Sequence, residues 1–256
     1  MGEATAFAAA ATLVAVAFAC CTYERWLRRR RRHELAWTAA MLLFALGAGA
    51  FWWATANGWS SWSFRLFYLT GGVLTVPVLA LGTVYLLGGA RLGDRLALAT
   101  ALVGAYAVGV VSTAPLRRPL EPDRLNEGRE VFGAVPRALA AVGSGLGATV
   151  VIVGAVWSAQ RLLRARASAP VPGRGRGGLA PRRLALANAL IALGTLTISF
   201  KRPFVALSGS DETGFALALA AGLAVIFGGF LLTAARPAPA RQRLPRPELE
   251  RAVSLP

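Results

Sequence analysis

The chain is poor in the residues that perform chemistry. Its 256 residues include one histidine, His33, and two cysteines, the adjacent Cys20 and Cys21. A structural zinc site asks for four nitrogen or sulfur ligands, and a bis-histidine haem asks for two histidines. Adjacent cysteines also rule out a disulfide scaffold. No HExxH, GxSxG or phosphate-loop ending occurs. Acidic residues number 12 against 28 basic ones, and none falls in the middle of an apolar run. The paired carboxylates of acid–base catalysis are therefore missing. These absences lead us to expect no enzyme, no metal and no cofactor. Charge of either sign is scarce too, at 16% of residues, below the roughly 25% of soluble domains. In a soluble protein a formal charge of +16 would point to nucleic acid. So few charges among such long apolar runs exclude that partner.

What the chain has is apolar length. A bilayer core takes about 20 apolar residues in helix. Seven segments meet this: Ala4–Tyr23, Glu34–Thr55, Phe64–Leu87, Leu96–Ala114, Arg137–Gln160, Leu184–Phe200 and Thr213–Thr233. The sixth is the shortest and ends at Lys201 and Arg202, whose long side chains can snorkel to the interface. The first segment has only Glu3 before it and the basic run after it, the reverse of a secretory signal. It reads as a retained span. Residues 1–235 thus predict one all-α membrane domain, and 236–256 a disordered, basic, Pro-rich cytoplasmic tail.

Basic residues mark the cytoplasmic side over short loops. Tyr23–His33, Gly88–Arg95, Arg161–Arg183 and the tail from Ala234 together hold 20 basic residues and, with Glu34, 5 acidic ones. The opposite segments are the N-terminus, Ala56–Arg65, Pro115–Arg137 and Lys201–Glu212, with 8 basic and 7 acidic residues. The predicted fold is a seven-transmembrane helix bundle, N-terminus outside and C-terminus inside. Twenty-seven of the 28 basic residues are Arg, which with abundant Ala and Gly suggests a GC-rich bacterium and hence a multi-pass plasma-membrane protein. Within the outer loop Pro115–Pro136, Asp123–Phe132 is expected to form a short amphipathic helix. Ala165–Pro181 reads as a flexible basic linker.

Spans 1–3 and 5–7 would enter the membrane in the same direction, as in a parallel-repeat transporter. Phe64, Leu66 and Gly71 recur as Phe215, Leu217 and Gly222, but the match does not extend to the other spans. Gly143 to Ala148 resembles a dinucleotide fingerprint on paper. It lies inside an apolar helix, where Gly143 and Gly147, four apart, are instead the spacing for close helix packing. Pro77 should kink the third span.

Polar residues within spans are the pointers to a ligand or substrate. Asn188, Thr195, Ser199 and Arg202 share one helical face, and Arg65, Tyr68, Gly72, Thr75 and Gly82 form a second stripe. Both could line one interior. The alternative is that each hydroxyl bonds its own helix. Arg65 sits where a helix dipole disfavours a cation, so it should have an acid (Glu127, Glu130, Asp211 or Glu212) or an anionic ligand as partner, unless it simply snorkels. Glu34, Asp211 and Glu212 read as acids complementing helix starts. Trp52, Trp53, Trp59 and Trp62 form an outer aromatic belt first and a stacking site second. Arg28, Arg29, Arg30, Arg31 and Arg32 would meet anionic lipid headgroups on the inner face.

Several stretches carry a resemblance: His33 to Trp37, Tyr68 to Leu87, Val131 to Ser158 and Ala187 to Ile191. In these the chain resembles a group of uncharacterised seven-helix membrane proteins of high-GC Gram-positive bacteria. The resemblance implies the topology and the taxon, and supplies no activity. Two functions follow as expectations: binding or transport of a small molecule through the bundle, or a non-transporting sensor or assembly role through the basic cytoplasmic loops. Lipids are the expected partners, and the sequence is compatible with a homo-oligomer.

Overall fold

The structure is a computed structural model and describes residues 2–167, 186, 189–190, 193–194, 196–198 and 202–234. Among these the chain is helical, with no strand. The long helices are α1 (Glu3–Arg29), α2 (Arg32–Asn57), α4 (Thr75–Thr113), α6 (Ala134–Ala167) and α8 (Asp211–Ala234). Shorter ones are α3 (Ser61–Phe67), α5 (Gly128–Val131) and α7 (Arg202–Ser208). A π-helical stretch, Tyr68–Leu74, joins α3 to α4. Five stretches are long and apolar enough to cross a bilayer: Glu3–Arg29, Arg32–Asn57, Ser61–Thr113, Ala134–Gly154 and Asp211–Leu232.

The breaks between helices have local causes. Gly58 ends α2 at a φ of 85°, a left-handed value that glycine takes without a Cβ clash. Ser60 then opens α3 with a capping box, its side chain accepting from the Ser63 backbone while Ser63 accepts from Ser60. Ser210 opens α8, its Oγ accepting the Thr213 N–H at 3.1 Å. Only two residues link α1 to α2, and Arg30 makes the turn in the left-handed region at φ 50°.

The 53-residue stretch Ser61–Thr113 would run to about 80 Å as one straight helix. It does not. Gly89 stands at φ 80°, ψ 178° within it, and Arg65 bonds carbonyls at Val111 and Ala114. Its two ends therefore meet, and the stretch is a hairpin of two apolar helices.

Packing follows from small side chains. Ala8, Ala11, Ala15, Ala19 and Thr22 of α1 are buried at helical spacing, while Leu13 is 71% exposed. The alanine face lets α1 lie close to α2 and α8, which it contacts; α2 meets α4, and α4 meets α6. The outward faces stay apolar. Leu98, Leu102 and Tyr106 of α4 and Val142, Leu146 and Ile152 of α6 are exposed. A surface this apolar is one that lipid covers.

Contacts near the helix ends define two ends of the bundle. At one end Thr5 Oγ1 donates to the Thr55 carbonyl at 3.0 Å, Trp59 N–H to the Pro122 carbonyl at 3.1 Å, and Trp59 Nε1 to Glu212 at 3.4 Å. At the other end Arg25 meets Glu34, Arg32 meets Asp94, and Tyr85 donates to Asp94 at 2.9 Å. Among the described residues, the weakly charged loops gather at the first end and the Arg-rich ones at the second. The expected amphipathic helix Asp123–Phe132 shrinks to Gly128–Val131. Asn126 competes for that backbone, accepting from Glu121 N–H and donating to the Glu121 and Arg124 carbonyls.

Candidate functional site

A π-helical turn, Tyr68–Leu74, packs against α2 and α6. Thr75 N–H reaches back five residues to the Thr70 carbonyl, and the Thr75 hydroxyl donates to that same oxygen at 2.7 Å. The rewinding lets an α-helix restart at Thr75, so Pro77 falls in its first turn, where a missing N–H is tolerated. The proline thus comes with a change of winding just upstream. One carbonyl is satisfied from outside: Ser144 Oγ of α6 donates to the Gly72 oxygen at 2.7 Å.

Glycines clamp the turn on both sides. A Cβ on Gly47 of α2 would stand 3.0 Å from Thr70 Oγ1 and 3.1 Å from the Gly71 nitrogen. One on Gly143 would stand 3.3 Å from the Val73 oxygen and 3.4 Å from Pro77 Cγ. One on Gly147 would stand 3.0 Å from the Val76 backbone. Gly143 and Gly147 thus provide the close approach of α6 to α4, in the small-xxx-small manner their spacing suggests.

The stripe from Arg65 to Gly82 does not share one interior, because a π turn advances each residue less than an α turn. Arg65 donates to the Val111 carbonyl, to the Ala114 carbonyl at 2.8 Å and to Ser61 Oγ at 3.1 Å, with its guanidinium 5.8 Å from the Phe132 ring. It caps the C-terminal end of α4, where a cation complements the dipole. The partner of Arg65 is therefore a helix end and none of the four outer acids. Tyr68 reaches the Pro136 carbonyl at 3.4 Å. Thr75 is buried on its own helix, and Gly82 faces the Trp37 ring. These residues turn to different neighbours. Asn188, Thr195 and Ser199 lie outside the described residues, as do 168–181 of the linker and the tail 236–256. Arg202 starts α7.

The outer aromatics divide. Trp52, Trp53 and Trp62 are exposed, as belt residues are, while Trp59 is buried against Phe51, Phe64 and Phe67. Asp211 and Glu212 occupy the first turn of α8, the dipole position expected of them, and Glu212 also accepts from Trp59.

The site that composition did not reveal is at the Arg-rich end. Glu34, in the first turn of α2, is 1% exposed. Its Oε1 accepts one N–H from Arg25 of α1 at 3.4 Å, and the Arg25 guanidinium lies 4.7 Å from the Phe230 ring of α8. Glu34 Oε2 and Arg25 Nη1 are buried with no hydrogen-bond partner among the described residues. More than a dipole complement, Glu34 is half of a buried ion pair that joins three helices. Its sequence cue is Arg25 nine residues before it across a two-residue turn, but five further arginines follow Arg25 and offer the same charge.

The five arginines of the turn are not equivalent. Arg28 pairs with Glu24 at 2.7 Å, Arg30 lies 4.8 Å from the Trp26 ring, and Arg32 pairs with Asp94. Asp94 lies between the apolar halves of the hairpin. Its carboxyl is held below the usual range by the hydrogen bond from Arg32 first and by that from Tyr85 second. No group of three or more His, Cys, Asp or Glu that could hold a metal occurs among the described residues. No family model matches the chain, and no curated protein or solved structure matches it.

Proposed function

We propose that this chain is a seven-span plasma-membrane protein, N-terminus outside and C-terminus inside, that binds or moves a small molecule through its helix bundle. The bent stretch Ser61–Thr113 supplies two of the spans; the sixth is the one read from the sequence at 184–200, most of which lies outside the described residues. Clustering of the Arg-rich loops at one end of the bundle supports the orientation. The resemblance to seven-helix proteins of high-GC Gram-positive bacteria agrees with both. Membrane lipids, with anionic headgroups at the Arg-rich end, are its partners.

One observation carries the small-molecule reading. The third span is rewound within its apolar length, at Tyr68–Leu74, and its Gly72 carbonyl turns to Ser144 of another helix. π turns recur at functional sites, and interrupted membrane helices recur at transport sites. The test is accessibility. Single cysteines replace Ser144, Asn188, Thr195 and Ser199 in a chain lacking Cys20 and Cys21, and a water-soluble thiol reagent is applied in liposomes. Labelling that a bound solute protects supports the reading; uniform inertness rejects it. A reporter fused after Ala234 should be active on the inner face, and activity outside rejects the topology.

A non-transporting sensor or assembly role is favoured by a different observation. Arg29 and Arg31 stand exposed at the α1–α2 turn with no ion pair among the described residues. Crosslinking at this turn that recovers one defined cytoplasmic protein, with no solute effect on the cysteines, would select that role.

A further inference from the structure

Sorting the arginines of the α1–α2 turn leaves a defined residue of positive charge. Arg28, Arg30 and Arg32 are each drawn away, to Glu24, the Trp26 ring and Asp94. Arg25 is neutralised by Glu34. Arg29, from the last turn of α1, and Arg31, the N-cap of α2, remain exposed with neither an ion pair nor a ring contact among the described residues. Arg25 and Arg29 lie toward the end of α1, and Arg31, His33 and Glu34 at the start of α2, so all of them stand about one corner. Arg25 and residues 28–32, six arginines in all, stand against Glu24, Glu34 and Asp94, which leaves the charges of Arg29, Arg30 and Arg31 without an acid among the described residues, Arg30 lying on the Trp26 ring. A further feature has the same sign. Arg31 offers no side-chain cap to α2, and its carbonyl accepts from Glu34 and Leu35 N–H, which leaves the first two N–H groups of the helix, those of Arg32 and His33, without a helix partner at its positive end.

We infer that Arg29 and Arg31, with His33 and the first turn of α2 beside them, form a site for a phosphate-bearing anion, supplied by the headgroup of an anionic phospholipid. The inference rests on the membrane reading above and narrows its lipid contact from five arginines to two. The lipid is favoured over soluble phosphate by place. The corner lies where α1 and α2 leave their apolar lengths, with Tyr23, Leu27 and Leu35 exposed beside it to lie along acyl chains. Guanidinium is suited to phosphate by its paired, planar donors.

The full chain in phosphatidylcholine nanodiscs with a minor fraction of spin-labelled phosphatidylglycerol tests this. The wild type should immobilise the anionic label in preference to labelled phosphatidylcholine. Arg29→Gln/Arg31→Gln should weaken that preference about 30-fold, from about 1 kcal/mol per juxtamembrane charge. Arg28→Gln/Arg32→Gln removes the same formal charge from side chains that already sit on Glu24 and Asp94 and should change it several-fold less. Equal losses in the two double variants overturn the site in favour of a diffuse basic surface. Displacement of the label by millimolar inorganic phosphate overturns the lipid as source. Circular dichroism and size exclusion show that each variant is folded. Release of the wild type from membranes by alkaline extraction would sink the membrane reading itself, whereas retention without a headgroup preference sinks this inference alone.

Discussion

Removing Arg25 should destabilise the protein more than removing Glu34, although the two form one pair. The Glu34 side chain is 2% exposed and the Arg25 side chain 24%. Glu34 is short and enclosed. When Arg25→Leu deletes its one donor, the carboxylate stays buried and unpaired, which costs about 3–5 kcal/mol. The existing bond is long, 3.4 Å, so the low end applies, about 3 kcal/mol. Arg25 is long and already reaches solvent. After Glu34→Leu it can extend its guanidinium to the interface, and the cost falls to about 1–2 kcal/mol. Replacing both removes both desolvation penalties, so Arg25→Leu/Glu34→Leu should lie within about 1 kcal/mol of the wild type. Thermal unfolding in nanodiscs reads this out at roughly 2–4 °C per kcal/mol for a domain of this size, or about 6–12 °C for Arg25→Leu. Simple additivity of the single variants, or a larger loss for Glu34→Leu, would refute the reasoning, since either means that Glu34 is solvated.

Gly147→Ala places a methyl 3.0 Å from the Val76 backbone and should cost about 1–3 kcal/mol. Gly145→Ala, with nothing within 4 Å, should be neutral or gain up to about 1 kcal/mol from helix propensity; equal thermal shifts would reject the α4–α6 crossing. Arg65→Leu uncaps the Val111 and Ala114 carbonyls and should cost about 2 kcal/mol. Unchanged stability with a loss of ligand or lipid binding would return this residue to a binding role. Asp94 titrates below its unfolded value, so its link to Arg32 stabilises above about pH 4 and is lost as the pH falls through the folded value. Asp94→Asn should lose that part of the pH dependence, so that variant and wild type converge in unfolding temperature as the pH falls.

Much of the fold was legible because it rests on composition. Apolar length, loop charge and helix-breaking residues are local properties, and they located the helices of the described residues to within a few residues at most ends. Gly143 and Gly147 were legible for the same reason, since a four-residue spacing on a helix fixes a face. The polar stripe from Arg65 to Gly82 failed for a physical reason. It assumed one α-helical pitch, and the rewinding at Tyr68–Leu74 broke that pitch between Tyr68 and Thr75. The need of Arg65 for compensation shows in its place near a helix start. Its partners, though, were backbone carbonyls 46 and 49 residues away, which carry no signature in residue type.

By itself the sequence determined that the described part of the chain is helical and apolar, roughly where its long helices lie, and which loops carry the charge. These depend on neighbours a few residues apart and on transfer from water to an apolar phase. Tertiary structure alone decided which arginines are spent and which stand free, and which glycines meet a neighbouring helix. It also made Glu34 a buried ion-pair partner as well as a helix-start acid. A charge gains its meaning from what lies within a few ångströms of it, and five consecutive arginines look alike until the turn at Arg30 fans them toward different partners.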